Sequence, residues 1–211
     1  MKTLEALVNP FGKLESDNPD NFEKPIVGKD KIIELVLRRH DELVGTPDLV
    51  MMPVAILSPI QIDVVLQRLI QEGRLHDDSS LYLNRLISES YKKSKNPEFI
   101  LHTGDIAPHN LCSSLRGKPD NPITVNIKGN VGLFFAAYSK FCTYVIEGYA
   151  EAFLAAKAEN CTFVLEKTPH LGYCIGWGRC TFKTHSEEVY KEMEELFKAY
   201  DRSTDNLILL K

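Results

Sequence analysis

Five residues in the last third of the chain have side chains that could act together: Cys142, Glu166, His170, Cys174 and Cys180. Thiolate, imidazole and carboxylate are the donors of a tetrahedral zinc site, which needs three or four of them delivered by rigid elements. Cys142 would come from one element and the others from the segment that follows. Zinc would lower the thiol pKa values, because it binds thiolate. The spacing Cys174-x5-Cys180 is looser than a zinc knuckle, so buried structural cysteines remain the competing expectation. Gly172, Gly176 and Gly178 alternate around Cys174, Trp177 and Cys180. Glycine inside a strand marks a bulge or a close backbone approach, and Trp177 and Tyr173 would then be walls of a pocket. No helix opens after these glycines, so they are not a phosphate loop.

A second group is His102, Asp105, His109 and Cys112. A Cys/His/Asp nucleophilic set needs the imidazole beside the thiolate, which this local spacing does not provide. Loop residues capping a short helix over 107–115 are the expectation there. His40, His76 and His185 flank charged helices and are expected to be solvated.

Several elements have to position these side chains. Apolar residues at helical spacing predict amphipathic helices over 29–44, 59–72, 81–94 and 185–202. Asp77-Asp78-Ser79-Ser80 reads as an N-cap. The run 49–57, broken by Pro53, suits an edge strand or part of a helix. Strands are expected at 98–102, 123–127, 161–167 and 173–183, with a short edge strand near 207–210. The longest helix candidate is 132–158. Phe134, Tyr138, Cys142, Val145, Tyr149 and Phe153 recur every three or four residues, and Leu133, Ala137, Phe141, Tyr144 and Ala150 cover much of the rest. A helix apolar nearly all round belongs in the interior. No internal repeat is read, and the weakest junction lies near Ser94–Glu98.

Composition narrows the function classes. The chain has 211 residues, 44% hydrophobic and 26% charged, with net charge −4. That is globular usage. No Lys/Arg run is long enough to track a phosphate backbone, so nucleic acid is not an expected partner. The most apolar stretch, 131–156, contains Lys140, Glu147 and Glu151, which argues against a membrane span. The five cysteines are an odd number in a chain of this length. A secreted disulfide framework is therefore not expected. The N-terminus has no signal-peptide core, and the expected compartment is cytoplasmic.

The segments Phe141–Leu154, Phe163–Glu166 and Cys174–Phe182 resemble the 4-vinyl-reductase (hydrocarbon-binding) domain family over about residues 123–183. The resemblance implies a zinc held by a Cys, Glu, Cys, Cys set, here Cys142, Glu166, Cys174 and Cys180, with His170 where the family's middle cysteine would stand. It also implies a pocket for a small apolar molecule; Phe134, Tyr138, Phe141, Tyr149 and Trp177 are the residues expected to line it, with core packing as the simpler expectation for the aromatic stripe. The ending from Thr168 to Phe182 is similar to thiazoline-carboxylate hydrolase-like proteins. In that alternative Cys142 or Cys180 is the nucleophile and His170 the base. A purely structural interaction subunit is the third possibility.

The expected fold is α+β, with an antiparallel sheet packed against the long buried helix and additional N-terminal helices. Residues 1–95 would form a helical region packed on the rest, and 96–211 the ligand-binding domain. A homodimer is expected, with the N-terminal helices available for the contact.

Overall fold

The computed structural model describes residues 31–50, 54–93, 97–169, 179–199 and 205–211. Three helices come first: α1 (Lys31–Leu43), α2 (Pro59–Gln71) and α3 (Asp77–Lys93), with a 3-10 turn at Pro47–Val50. Ser58 caps α2 and exchanges hydrogen bonds with Gln61, and Pro59 occupies the first turn where its missing N–H costs nothing. Asp77 and Asp78 lie inside the first turn of α3 rather than ahead of it. There they favour the positive end of the helix dipole. These helices bury Ile33, Val36, Leu66, Leu69, Leu83 and Leu86 against one another and against the sheet.

The sheet has six strands: β1 (Glu98–Gly104), β2 (Ile123–Gly129), β3 (Cys142–Ile146), β4 (Thr162–Leu165), β5 (Thr181–Thr184) and β6 (Asn206–Leu209). They lie in chain order, and every neighbouring pair is parallel. The expected antiparallel α+β arrangement is therefore overturned: this is an α/β fold with an all-parallel sheet. Parallel neighbours need a crossover. Helix α4 (Glu187–Ala199) supplies one between β5 and β6. The crossovers from β1 to β4 contain no helix.

The long buried helix expected over 132–158 does not exist. That segment is a chain of turns, then β3, then a second chain of turns. The helix expected over 107–115 is likewise a run of turns. In these three runs every second residue has a left-handed backbone: Asn110, Cys112 and Ser114; Phe134, Ala136 and Tyr138; Phe153, Ala155 and Lys157, with φ between 54° and 62°. Each costs roughly 1–2 kcal/mol for a residue with a Cβ. The compensation comes from the neighbouring coil. Asn110 N–H donates to Leu133 C=O at 2.8 Å, Ser114 to Ala137 at 2.7 Å, Tyr138 to Ala156 at 2.8 Å and Ala155 to Phe135 at 3.0 Å. Isolated parallel bridges join Arg116 to Lys140, Lys140 to Glu159 and Val131 to Ala150. Successive coils thus touch along the turns as well as along the strands. The result is a stack of coils, a β-solenoid, and the absence of repeats expected from the sequence does not hold. Ile123, Cys142, Cys161 and Cys180 stand 19 residues apart and occupy one register line of the sheet.

Glycines let the coils close up where the strands end. At Gly148 an added Cβ would run into the Gly129 carbonyl and the Asn130 side chain, while Gly148 N–H donates to Gly129 C=O at 3.0 Å. Gly129, at φ +138°, meets Gly104 in the same way.

The helices close the β1 edge. Asp63 on α2 accepts from the His102 backbone N–H at 2.8 Å and pairs with the His102 ring at 2.8 Å, and Gln67 donates to the His102 carbonyl. Asn84 on α3 accepts from Cys112 N–H at 2.6 Å and donates to Asn110 C=O at 2.8 Å. Side chains of the helices thus make the bonds that a preceding coil would make.

Candidate functional site

Thiols concentrate inside the solenoid. Cys142, Cys161 and Cys180 each precede a threonine, and Thr143, Thr162 and Thr181 are register partners. The three cysteines therefore form a column on adjacent coils, buried at 2%, 1% and 0% exposure. Phe141, Asn160 and Arg179, just before them, all have positive φ, so the same kink aims each sulfur inward. Neighbouring thiols interact side chain to side chain, Cys142 with Cys161 and Cys161 with Cys180. Each sulfur also reaches a carbonyl: Cys142 to Lys140 at 3.2 Å, Cys161 to Glu159 at 3.4 Å and Cys180 to Ala158 at 3.4 Å. Asp205 accepts from the Cys180 backbone N–H at 2.8 Å.

The column is electrostatically uneven. The Cys161 thiol, together with Tyr144 and the backbone amides of Gly117 and Lys140, holds the Cys142 thiol below its usual range. Cys161 is pushed far up, first by its contact with Cys142, then by its contact with Cys180 and by burial. Burial raises Cys112, whose thiol lies close enough to feel Cys142.

Beside the thiols runs an aromatic column. Tyr144 stacks on Phe163 at 5.2 Å and Phe163 on Phe182 at 5.0 Å, while Phe135 meets Tyr144 edge-on at 5.2 Å. The Tyr144 hydroxyl donates to Ser139 at 2.9 Å, and Ser139 donates to the Cys112 carbonyl at 2.9 Å. A buried hydroxyl in apolar surroundings needs such partners. The interior between β3 and the turns is therefore occupied by these side chains.

The residues expected from sequence to hold zinc do not converge among those described. Cys142 and Cys180 share a column but sit two coils apart, about 9.5 Å at the spacing of parallel strands. Sulfurs around one tetrahedral zinc lie about 3.8 Å apart, from Zn–S bonds near 2.3 Å. Glu166 follows the far end of β4 and is exposed, whereas Cys161 precedes its near end. His170 and Cys174 lie outside the described residues. Among the described residues no group of three or more His, Cys, Asp and Glu side chains stands close enough to hold a metal.

The residues expected to line an apolar pocket are placed differently. Phe134, Tyr138 and Tyr149 are exposed, and Phe141 is half-buried. Trp177 is outside the described residues. On the turn face Phe134 stacks on Phe153 of the next coil at 4.7 Å, and the Lys157 ammonium lies 5.3 Å from the Tyr138 ring centre. Lys167 sits 4.4 Å over Tyr149.

Of the other set, His102 serves the helical cap. His109 is partly exposed, 3.6 Å from Asp77 and 3.4 Å from Glu151, and so ties the start of α3 to the second run of turns. Cys112 is buried on an earlier coil, in the turns between β1 and β2. His40, expected in solvent, is buried against Ser79 at 2.9 Å.

Cys161 was missed as a site residue. Its signal was present in the repeated triplet Cys142-Thr-Tyr144, Cys161-Thr-Phe163, Cys180-Thr-Phe182.

Fold and site define the class: a parallel β-solenoid with a thiol and aromatic interior, closed at one edge by helices. Compared with protein-family models, curated proteins and solved structures, the chain matches none. No helix among the described residues is long and apolar enough to cross a membrane.

Proposed function

We propose that the protein is a rigid interaction scaffold that presents the turn face of its solenoid to a protein partner. The observation that carries this is the outward ladder formed by the stacked Phe134 and Phe153 rings and by Tyr138 under Lys157. Aromatic side chains supply large contact area at low cost in side-chain entropy, and interfaces are enriched in them. Stacked coils hold the ladder in fixed register, so little ordering entropy is lost on binding.

The apolar-ligand and thiol-hydrolase alternatives gain less support. Phe134, Tyr138 and Tyr149 are exposed and Phe141 is half-buried, and Cys142 and Cys180 are buried against backbone carbonyls.

Photo-crosslinking amino acids at positions 138 and 153, compared with positions 143 and 162 on the strand face, test the scaffold in cells. A discrete protein adduct from 138 and 153 alone is expected. Adducts at neither pair, or equally at both, overturn the proposal.

A further inference from the structure

The two ends of the coil stack differ. At β1 the His102 backbone groups are bonded by Asp63 and Gln67 of α2. At the other end β6 is an edge strand, and among the described residues no strand pairs with its far side. Asn206 N–H donates to the Cys180 carbonyl at 2.9 Å and Leu210 N–H to the Thr184 carbonyl at 2.8 Å. Backbone groups alternate sides along a strand, so those of Leu207 and Leu209 point away from β5. Such an edge is a template for another strand, and natural edges are blunted by charge, proline or a bulge. The strand Asn206–Leu209 contains no charge and no proline, and it pairs with β5 without a register shift. Ile208 and Leu209 are also exposed, at 41% and 36%.

We propose that β6 pairs antiparallel with β6 of a second copy of this chain, centred on Ile208, so that the two sheets join into one. In an antiparallel ladder, residues whose backbone groups face the partner exchange both bonds. With this centre Leu207 lies opposite Leu209 of the second copy, and Leu209 opposite Leu207, so every pair that must bond has its groups turned to the interface. Ile208 lies opposite Ile208 between these pairs, and the exposed apolar side chains cover one another. The same register sets Lys211, which is exposed, opposite Asp205 of the second copy. Asp205 accepts from the Cys180 N–H, and a carboxylate has further acceptor sites for an ammonium. A centre at Leu207 or Leu209 would instead set Asp205 opposite Leu209, or Lys211 opposite Leu207, an ion against an apolar side chain. The helices on β1 prevent one copy's β6 from stacking on the other's first coil. The contact is therefore tail to tail, and its two-fold symmetry closes the assembly at two copies.

The contact is small, so a weak dimer is expected, with Kd on the order of 10 μM. The first test needs no variant: residue-resolved hydrogen exchange of the full chain at about 5 μM and about 500 μM. The Leu207 and Leu209 amides should slow at least threefold at the higher concentration, and those of Asn206 and Leu210, already bonded to β5, should change less. Ile208→Lys puts like charges directly opposite each other, and Kd from sedimentation should rise at least tenfold. Lys211→Glu, set against Asp205, should raise it at least threefold. Directly opposed residues of a non-hydrogen-bonded pair have Cα atoms about 4.5 Å apart, within reach of a disulfide. Ile208→Cys should therefore give a covalent dimer under mild oxidation, and Asn206→Cys, facing Leu210, should not. Circular dichroism checks that each variant folds. A monomer at about 500 μM, exchange at Leu207 and Leu209 that ignores concentration, a dimer as tight in Ile208→Lys as in the wild type, or equal linkage through Asn206→Cys and Ile208→Cys overturns the proposal. Crosslinking at positions 138 and 153 reads another surface, so the scaffold and the dimer can fail separately.

Discussion

The described residues of 31–93 and those of 97–184 satisfy their backbones in opposite ways. The helices of the first region make their hydrogen bonds within a few residues, and only their apolar faces depend on the rest of the chain. The coils of the second region have few internal bonds beyond single turns. They depend on the coil before and the coil after, with Ser114 bonded to Ala137 and Tyr138 to Ala156. The two regions meet where Asp63, Gln67 and Asn84 bond the first coil. A stack of this kind needs a terminating surface, as repeat proteins in general do, and here helices provide it.

The comparison is broken most severely by emptying the shared interior. Tyr144→Ala removes ring contacts to Phe135 and Phe163 and leaves Ser139 without its donor. A loss of about 3–5 kcal/mol is expected from the cavity, read as a fall in the urea midpoint. A loss below about 1 kcal/mol would mean that the aromatic column does not hold the coils together.

Asn84→Ala tests the junction. It strands the Cys112 N–H, and a buried unsatisfied donor costs about 1–3 kcal/mol. Hydrogen exchange should quicken in residues 110–115 before it does in β3 and β4. Uniform quickening would instead mean that cap and coils unfold as one unit.

The helical region has its own pH dependence. Burial lowers the His40 pKa from its ordinary 6.5, against the raising effect of Asp41. Below pH 6.5 the unfolded chain therefore takes up this proton before the folded one does. The contribution is fully present above about 6.5 and is lost as pH falls below it, by at most about 1.4 kcal/mol per pH unit for one group. Denaturation midpoints between pH 7.5 and 5.5 should show the fall, and His40→Gln should flatten it. An unchanged slope in that variant would assign the effect elsewhere.

The smallest effect is expected at Ser114, exposed at φ 60°. Ser114→Gly relieves left-handed strain but gives the unfolded chain more freedom. The midpoint should stay level or rise by up to about 1 kcal/mol, whereas the same substitution at Ser88, inside α3, should lower it by about 0.5–1 kcal/mol.

Much of the helical region was legible because helical periodicity is local. Helices expected at 29–44, 59–72 and 185–202 occur at Lys31–Leu43, Pro59–Gln71 and Glu187–Ala199. The coils misled for a physical reason. Phe134, Tyr138, Cys142, Val145, Tyr149 and Phe153 are separated by steps of three and four that add to the 19-residue coil. A coil repeat of that length imitates a helical stripe. The β-formers Thr143, Tyr144, Val145 and Ile146 were the local sign against a helix. The Cys-Thr-aromatic triplet was the sign of repetition. Neither says which way the strands run. Direction, and the gathering of Cys142, Cys161 and Cys180 into one column, follow from contacts 19 residues apart.

The amino-acid order alone determined where apolar helices form, which residues are β-formers and how often the Cys-Thr-aromatic triplet recurs, because these are properties of neighbours along the chain. Only the tertiary structure decided that the strands are parallel, that residues 133–138 and 152–157 are turns, and that the sulfurs face one another. Those outcomes depend on hydrogen bonds between coils, and a left-handed residue such as Phe134 is tolerated only once the next coil is in place to receive it.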